Sequence, residues 1–341
     1  MVYADRELND TLDVFHALDP KTGALKWSLR YEANGHIDYG NSPRATPVIH
    51  RDSVVVFGAF GDLHVLDIAT GDVRWKMNIA KEFGADAEMK WGTCSTPLVI
   101  DNVVIVNPGA KDASIVALKI ADGSVVWKSP GRPPSHSSFI VAKLGRIRQI
   151  VGYDSETLGG WDPATGNRLW EIRPANPKDF NVPTPVAAGN RLIVATENNG
   201  ARVYEFGEDG RPKNGPSGVH QDFAPDCHTP VVIGDRVFGV WGRLYCLGLE
   251  KDLALQWEGE DPAFRQYASI IHDGRNLLVT SVEGELVLVD GAASSLRVLS
   301  RLKLFPDDLG VYSHPALSNG RLYVRGSDQI VCMPIQPADG Q

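Results

Sequence analysis

Apolar and polar positions of this chain alternate over short runs, and the same alternation returns several times along the sequence. In LHVLDIATGDVRWKMNI (63–79), an alternating apolar run ends near Asp67, a Thr-Gly pair follows, and Trp75 stands four residues after the Gly. A period of two predicts β-strands with one buried face, and Asp and Thr-Gly between two such runs predict a tight turn, in which Gly supplies the positive φ. The stretch therefore predicts a β-hairpin.

This hairpin pattern occurs in five copies. The other four are FHALDPKTGALKWSL (15–29), IVALKIADGSVVWKS (115–129), LGGWDPATGNRLWEI (158–172) and LYCLGLEKDLALQWE (244–258). The five tryptophans, Trp27, Trp75, Trp127, Trp170 and Trp257, follow one another at 43 to 52 residues, except for a last gap of 87. Two further units, residues 184–210 and 268–300, keep the strand pattern without the Trp. The chain is therefore built from internal repeats.

A second hairpin precedes the Trp hairpin in the repeat, as in ATPVIHRDSVVVFG and STPLVIDNVVIVNPG. Each repeat therefore predicts four antiparallel strands. One small sheet cannot bury both of its faces, so successive sheets must stack, and a radial ring achieves this while protecting most strand edges. The pattern predicts an all-β fold, a β-propeller of four-stranded antiparallel blades, with the Trp wedged between neighbouring blades.

The repeats give eight blade positions. A partial first blade covers residues 1–30, and the last unit has three strands within residues 314–335; the blades between them open near Arg44, Ser95, Ser137, Thr184, Thr229 and Ala268. The first unit lacks its innermost strand and the last lacks its Trp strand. Either the two ends share one blade, which gives seven, or an upstream segment has been lost. We expect residues 1–335 to form a single propeller domain and residues 336–341 a C-terminal tail.

Composition narrows the function classes. The 341 residues include 34 Gly and 22 Pro, which suits many short strands and turns. A net charge of -8, with acidic and basic residues interspersed, argues against a nucleic-acid surface. The chain contains no run of about 18 apolar residues, so we expect no transmembrane segment, and residues 1–20 lack the pattern of a signal peptide. The cysteines, Cys94, Cys227, Cys246 and Cys332, have no zinc, haem or thioredoxin spacing.

The A-x-D-x-x-T-G-x-x-x-W copies resemble the PQQ-binding-like β-propeller repeats. Quinoprotein dehydrogenases and the outer-membrane assembly lipoprotein of Gram-negative bacteria share these repeats. Residues 40–75 are most similar to exported members of that group whose activity is not established. The resemblance covers nearly the whole chain and implies a periplasmic or exported protein. Because the repeat motif is the scaffold, it does not imply an activity.

Candidate site residues follow from the propeller geometry. Loops that lead into inner strands open on the same face as the loops between middle strands, and the residues there line a central funnel. The predicted ligand-binding funnel consists of Arg44, Cys94, His136, Asn181, Glu197, His228, Tyr267 and His314. The three histidines, His136, His228 and His314, stand at equivalent starts in alternate blades, where neutral imidazoles could form a site for Zn, Mn, Cu or Fe. The alternatives are a polar ligand without metal, or a structural role in which the rings bind water or backbone carbonyls.

Three functions stay open at this stage, and the sequence does not decide whether the chain is an enzyme. The preferred one is a binding scaffold for a polar small molecule, a glycan or a protein loop. The resemblance implies the second, a PQQ- and calcium-dependent alcohol or sugar dehydrogenase, with Asp154, Glu156, Glu197 and Asn198 near the calcium. Against it, the chain has no adjacent Cys-Cys pair and no C-x-x-C-H haem motif. The third is a metal-dependent lyase or hydrolase that uses the three histidines.

Overall fold

The strands of the protein form eight antiparallel sheets. The computed structural model describes residues 1–5, 11–40, 42–86, 89–305 and 310–335. Within these residues six sheets have four strands, and the first and the last have three. This is an all-β, eight-bladed β-propeller fold, as the repeats predict. The predicted tail, residues 336–341, lies outside the described residues.

The chain divides into two compact units. The first comprises Met1–Pro185 with Glu208–Arg211, and the second comprises Val186–Gly207 with Pro212–Gln341. The first unit contains the sheets of blades 1 to 4, and the second contains those of blades 5 to 8. The assignment of residues 1–335 to one domain stays a prediction.

The first unit contains the strands β1 to β15 and one short helix. Blade 1 consists of β1 (Val2–Asp5), β2 (Leu12–Leu18) and β3 (Leu25–Glu32). Blade 2 consists of β4 (Val48–His50), β5 (Ser53–Phe57), β6 (Asp62–Asp67) and β7 (Val73–Asn78), followed by the helix α1 (Ile79–Phe83). Blade 3 consists of β8 (Leu98–Ile100), β9 (Val103–Val106), β10 (Ile115–Lys119) and β11 (Val125–Ser129). Blade 4 consists of β12 (Ile140–Leu144), β13 (Ile147–Tyr153), β14 (Leu158–Trp161) and β15 (Arg168–Ile172).

The second unit contains the strands β16 to β30. Blade 5 consists of β16 (Val186–Ala188), β17 (Arg191–Thr196), β18 (Gly200–Glu205) and β19 (Gly218–His220). Blade 6 consists of β20 (Val231–Ile233), β21 (Arg236–Val240), β22 (Leu244–Gly248) and β23 (Ala254–Gly259), with 3-10 turns at Leu249–Lys251 and Pro262–Phe264. Blade 7 consists of β24 (Ala268–His272), β25 (Asn276–Ser281), β26 (Glu285–Asp290) and β27 (Val298–Lys303). Blade 8 consists of β28 (Ala316–Ser318), β29 (Arg321–Arg325) and β30 (Ile330–Pro334).

The blade count is eight rather than seven. The strands β1 to β3 and the strands β28 to β30 belong to separate three-stranded sheets in the described residues. In blade 1 the Asp-x-x-Thr-Gly turn joins β2 to β3, so these three strands correspond to the outer three of a blade, and the described residues contain no innermost strand. In blade 8 the three strands correspond to the inner three, and the described residues contain no outer, Trp-bearing strand.

The Asp-x-x-Thr-Gly turns fix the register of the outer hairpins by short-range hydrogen bonds. Asp67 Oδ1 accepts the backbone N–H groups of Ala69 at 2.8 Å and Thr70 at 3.2 Å. Gly71 has a φ of 79°, a left-handed conformation that Gly adopts without steric cost. Asp19 and Asp162 make the same pair of bonds in their own turns. The predicted turn chemistry is confirmed.

Four of the five repeat tryptophans join one blade to the next. Their indole N–H groups donate to carbonyl oxygens in the following turn, Trp27 to Ile68 at 2.9 Å, Trp75 to Ile120 at 2.6 Å, Trp127 to Pro163 at 3.0 Å and Trp257 to Ala293 at 3.1 Å. A Cβ at Gly71 would lie 2.6 Å from Trp27 Cγ, so the turn glycine also leaves room for the indole ring. The predicted Trp wedge is confirmed at these four positions.

Trp170 differs from the other four tryptophans. Its indole N–H donates to Gln149 Oε1 at 2.5 Å, and Gln149 Nε2 donates to the carbonyl of Gly210 at 2.9 Å. Gly210 lies in the turn of the next repeat, so an amide side chain extends the link by one residue. The repeat motif alone does not reveal that Gln149 connects Trp170 to Gly210 in place of a direct hydrogen bond.

Apolar cores lie between successive sheets within each unit. In the first unit Val55 and Val65 of blade 2 pack with Val104 and Val116 of blade 3. In the second unit blades 6 and 7 bury a corresponding cluster. Each sheet thus covers the apolar face of its neighbour, and inner-strand loops are left to carry polar groups. Within the described part of the chain, no helix is long and apolar enough to cross a membrane.

Candidate functional site

The predicted funnel residues fall into two groups, one in each unit. Arg44, Cys94, His136 and Asn181 belong to the first unit, and Glu197, His228, Tyr267 and His314 belong to the second. All except Glu197 lie in the segments that lead into the inner strands, whereas Glu197 lies in the turn between β17 and β18.

His136 lies four residues before β12, in contact with an aromatic side chain. Its ring centroid is 5.0 Å from that of Trp91, and Trp91 in turn meets Phe180 edge to face at 4.5 Å. Burial lowers the pKa of His136 to about 4, and the positive charge of Arg44 acts in the same direction. The imidazole is therefore neutral near pH 7.

The neutral ring of His136 carries one proton, on Nδ1 or on Nε2. Nδ1 is buried and has no hydrogen-bond partner among the residues that the structure describes, and the carbonyl of Gly92 acts to raise the pKa of the ring. We infer that the nitrogen on the side of Gly92 is Nε2 and that it carries the proton. Nδ1 therefore presents a buried lone pair.

Asn181 and Trp91 present two further buried polar atoms. Asn181 is only 2% exposed and has a left-handed φ of 52°, and its Nδ2 donates to the carbonyl of Asp154 at 3.5 Å. Its Oδ1 and the indole Nε1 of Trp91 are buried and have no hydrogen-bond partner within the described part of the chain. Together with His136 Nδ1, the first unit holds three such atoms on neighbouring loops.

Arg44 and Cys94 have structural partners. Arg44 Nη2 donates to the carbonyls of Asp38 at 2.7 Å and Gly40 at 2.9 Å, so the guanidinium holds the loop that leads into β4. Burial raises the pKa of the Cys94 thiol to about 11, although the charge of Arg44 opposes this shift. Cys94 is therefore a protonated thiol near pH 7 and not an activated nucleophile.

His228 precedes β20 in the second unit and is buried. His136, at the corresponding place before β12, is half-buried. Its Nε2 accepts the backbone N–H of Ala268 at 3.0 Å. Burial lowers its pKa to about 4; the carboxylate of Asp226 opposes this shift and a positive charge on His314 adds to it. Since Nε2 accepts, the proton of the neutral ring lies on Nδ1, the opposite tautomer to that of His136.

Exposed aromatic rings surround His228. Tyr267 stacks on it with ring centroids 5.7 Å apart, Trp241 meets it edge-on at 6.2 Å, and Tyr312 lies 6.0 Å from Tyr267. We call Trp241, Tyr267 and Tyr312 the second-unit aromatic surface. The sequence indicated Tyr267 but not the other two. Trp241 lies in a turn between middle strands and Tyr312 stands two residues before His314, so the loop rule would have found both.

Asp226, Cys227 and His228 form a cluster with the composition of a metal site. One potential ligand atom from each lies within 4.8 Å of the others, and His228 Nδ1 is 3.8 Å from Asp226 Oδ1. However, the bond from Ala268 places the proton of His228 on Nδ1, and a protonated nitrogen has no lone pair for a metal. The sequence-based metal site of His136, His228 and His314 stays a prediction, and it requires this bond to Ala268 to break.

Two of the three carboxylates of the calcium hypothesis, those of Asp154 and Glu156, are paired with arginines. The buried carboxylate of Asp154 accepts from Arg132 at 3.1 Å and from Arg168 at 2.9 Å, and it also accepts the hydroxyl of Thr157 at 2.9 Å. Glu156 forms an ion pair with Arg173 at 2.9 Å. Residues neutralised in this way do not fit the ligand set of a calcium ion beside a quinone, so we derive no step through that cofactor.

Comparison with known proteins places the chain in a family. Residues 11–258 match the family model described as outer membrane protein assembly factor BamB. The chain belongs to this family. A BamB from Legionella pneumophila (strain Paris) is 24% identical over 151 residues, which are 44% of this chain and 37% of that protein. The chain thus aligns with little more than a third of the length of this relative.

Solved structures with the BamB-type fold cover nearly the whole chain. BamB from Moraxella catarrhalis superposes with a TM-score of 0.64 at 17% identity, covering 97% of this chain and 92% of that one. Quinohemoprotein alcohol dehydrogenase from Comamonas testosteroni superposes with a TM-score of 0.61 at 15% identity, covering 92% of this chain and 67% of that one. At these identities the likeness shows the fold alone.

Proposed function

We propose that this BamB-family propeller is a protein-binding scaffold of the cell envelope, and that the second-unit aromatic surface docks a loop of a partner protein. The observation that carries the proposal is the exposure of this surface: Tyr312 is 70% exposed, Tyr267 44% and Trp241 37%. Membership of a family described as an outer membrane protein assembly factor supports an envelope location and a protein partner. A catalytic role is not part of the proposal.

The chemistry of the surface suits a polypeptide partner. Tyr and Trp bury large area with few rotatable bonds, and each keeps a polar atom for hydrogen bonding. Such residues are enriched among those that carry most of the binding energy of protein interfaces. Here the buried ring of His228, bonded to Ala268, supports Tyr267 from below. The surface is therefore held in place before a partner arrives, which lowers the entropy lost on binding.

Site-specific photo-crosslinking tests the proposal. A photoreactive phenylalanine analogue at position 312 should crosslink a partner in envelope extracts, and the same analogue at Tyr39, 93% exposed in the first unit, serves as the control. The captured protein is then purified and its affinity is measured by calorimetry. We expect the double variant Tyr267→Ala, Tyr312→Ala to bind at least tenfold more weakly and Tyr39→Ala to bind like the wild type.

Two results would count against the proposal. Affinity of the double variant equal to that of the wild type, with an intact circular dichroism spectrum, would remove the surface from the interface. A titration of the purified protein with PQQ and calcium that produced a stoichiometric change in the quinone absorbance would favour the dehydrogenase instead. Metal analysis of the purified protein tests the three-histidine alternative in the same way.

A further inference from the structure

Three polar atoms on the loops around Trp91 in the first unit have no hydrogen-bond partner among the described residues. They are the indole Nε1 of Trp91, Nδ1 of His136 and Oδ1 of Asn181, and all three are buried. A buried polar atom without a partner destabilises the folded state, so folded proteins rarely retain one without a reason. Three on adjoining loops point to a group that is bound there in the working protein.

The hydrogen-bonding sense of each atom is defined. The indole nitrogen of Trp91 can only donate. Nδ1 of His136 accepts in the tautomer inferred above, with the proton on Nε2, and it is buried beside the ring of Trp91. Oδ1 of Asn181 accepts, because the amide is oriented by the bond from Nδ2 to the carbonyl of Asp154. The site therefore offers one donor and two acceptors, all neutral.

The surroundings are aromatic. Phe180, 49% exposed, meets Trp91 edge to face at 4.5 Å, and the ring of His136 lies 5.0 Å from Trp91. Lys90 places its ammonium 5.4 Å from the Trp91 ring centroid. The guanidinium of Arg44, whose charge acts on His136, is bound to the carbonyls of Asp38, Gly40 and Ser42. The polar atoms are thus set among apolar rings, as in small-molecule sites.

We propose that Trp91, His136 and Asn181 form a binding site for a neutral saccharide ring. Hydroxyl groups donate and accept, so neighbouring hydroxyls of one ring satisfy the two acceptors and the indole donor together. A carboxylate or phosphate would face the lone pairs of His136 and Asn181, which repel it. A metal ion would leave the indole N–H without an acceptor. This site is independent of the protein-docking surface in the second unit and goes beyond it.

Saturation-transfer NMR of the full chain with D-glucose and with N-acetylglucosamine, each at millimolar concentration, tests the site. We expect saturation of the sugar ring protons and a shift of the His136 Nδ1 resonance for at least one sugar. Trp91→Phe keeps an aromatic ring and removes the donor, and Asn181→Gly suits the left-handed φ and removes the acceptor. Each should weaken binding at least tenfold.

Asn319→Gly, a matched change in the second unit at another asparagine with a left-handed φ of 49°, should bind sugar like the wild type. The absence of a response to both sugars overturns the proposal, and so does undiminished binding by Trp91→Phe and Asn181→Gly. Circular dichroism establishes that each variant is folded, and if one is not, the other decides. Loss of sugar binding with an unchanged protein partner would leave the docking surface standing, so the two proposals fail separately.

Discussion

His136 and His228 occupy corresponding places in two blades, one in each unit, but their ring nitrogens have opposite hydrogen-bonding roles. Both stand before an inner strand, and burial lowers the pKa of both to about 4. A backbone carbonyl, that of Gly92, faces the ring of His136, whereas a backbone N–H, that of Ala268, donates to Nε2 of His228. Nδ1 is therefore an acceptor in the first unit and a donor in the second.

A repeat therefore determines where a residue lies but not what the residue does. The same loop, carrying the same residue type, becomes a candidate ligand contact in one unit and an internal brace in the other. What decides the role is the peptide group that faces the ring, and this group belongs to a different loop in each case. Changes to either ring, or to the charges around it, test whether the two histidines have different roles.

The largest effect is expected from the loss of His228, whose ring accepts the N–H of Ala268. In His228→Leu the partly buried N–H of Ala268 loses its acceptor and Tyr267 loses the ring on which it stacks, so we expect the free energy of unfolding to fall by about 2–3 kcal/mol. In His136→Leu the loss should be under about 1 kcal/mol, since the change also removes a buried nitrogen that has no partner. Urea denaturation followed by tryptophan fluorescence measures both.

Hydrogen exchange at the Ala268 amide localises the effect. It should accelerate in His228→Leu and stay unchanged in His136→Leu. Equal losses of stability in the two variants, with no change at Ala268, would mean that the two histidines play the same structural part.

The fold could be predicted from the sequence because its determinants are local. Asp67 and Gly71 build their turn within five residues, and the contact between Gly71 and Trp27 recurs in later repeats, as Gly123 with Trp75 and Gly166 with Trp127. The site could be predicted only as a set of loops. The tautomer of His228 depends on Ala268, which is 40 residues away, and the relay at Trp170 depends on Gln149, which no motif marks.

A smaller effect is expected from the acid response of the two units. Histidines with folded pKa values near 4 and unfolded values near 6.5 bind protons only on unfolding, so stability falls as the pH falls from about 6.5 to 4. In the first unit Asp13 opposes this trend. Burial raises its pKa to about 6, with Asp62 adding to the shift, although Asp13 Oδ2 accepts the hydroxyl of Tyr31 at 2.8 Å.

Asp13→Asn tests this opposition. The folded state of the wild type holds a proton on Asp13 that the unfolded chain releases between pH 4 and 6, so the burial of Asp13 costs stability above that window. We expect Asp13→Asn to raise the free energy of unfolding by about 1–2 kcal/mol at pH 7 and by little at pH 4. Urea titrations at both pH values check this. A gain that was the same at both would mean that Asp13 does not titrate in this range.

The smallest effect concerns the tautomers of the two histidines, which can be measured without any change in stability. Long-range ¹H–¹⁵N NMR at pH 7 should show the protonated nitrogen to be Nε2 in His136 and Nδ1 in His228. Addition of Zn²⁺ should then shift the resonances of His136 first, because only its Nδ1 carries a lone pair without a partner. If both rings showed the same tautomer, or if His228 responded to zinc first, backbone partners would not set the roles of these loops, and the three-histidine metal hypothesis would gain support.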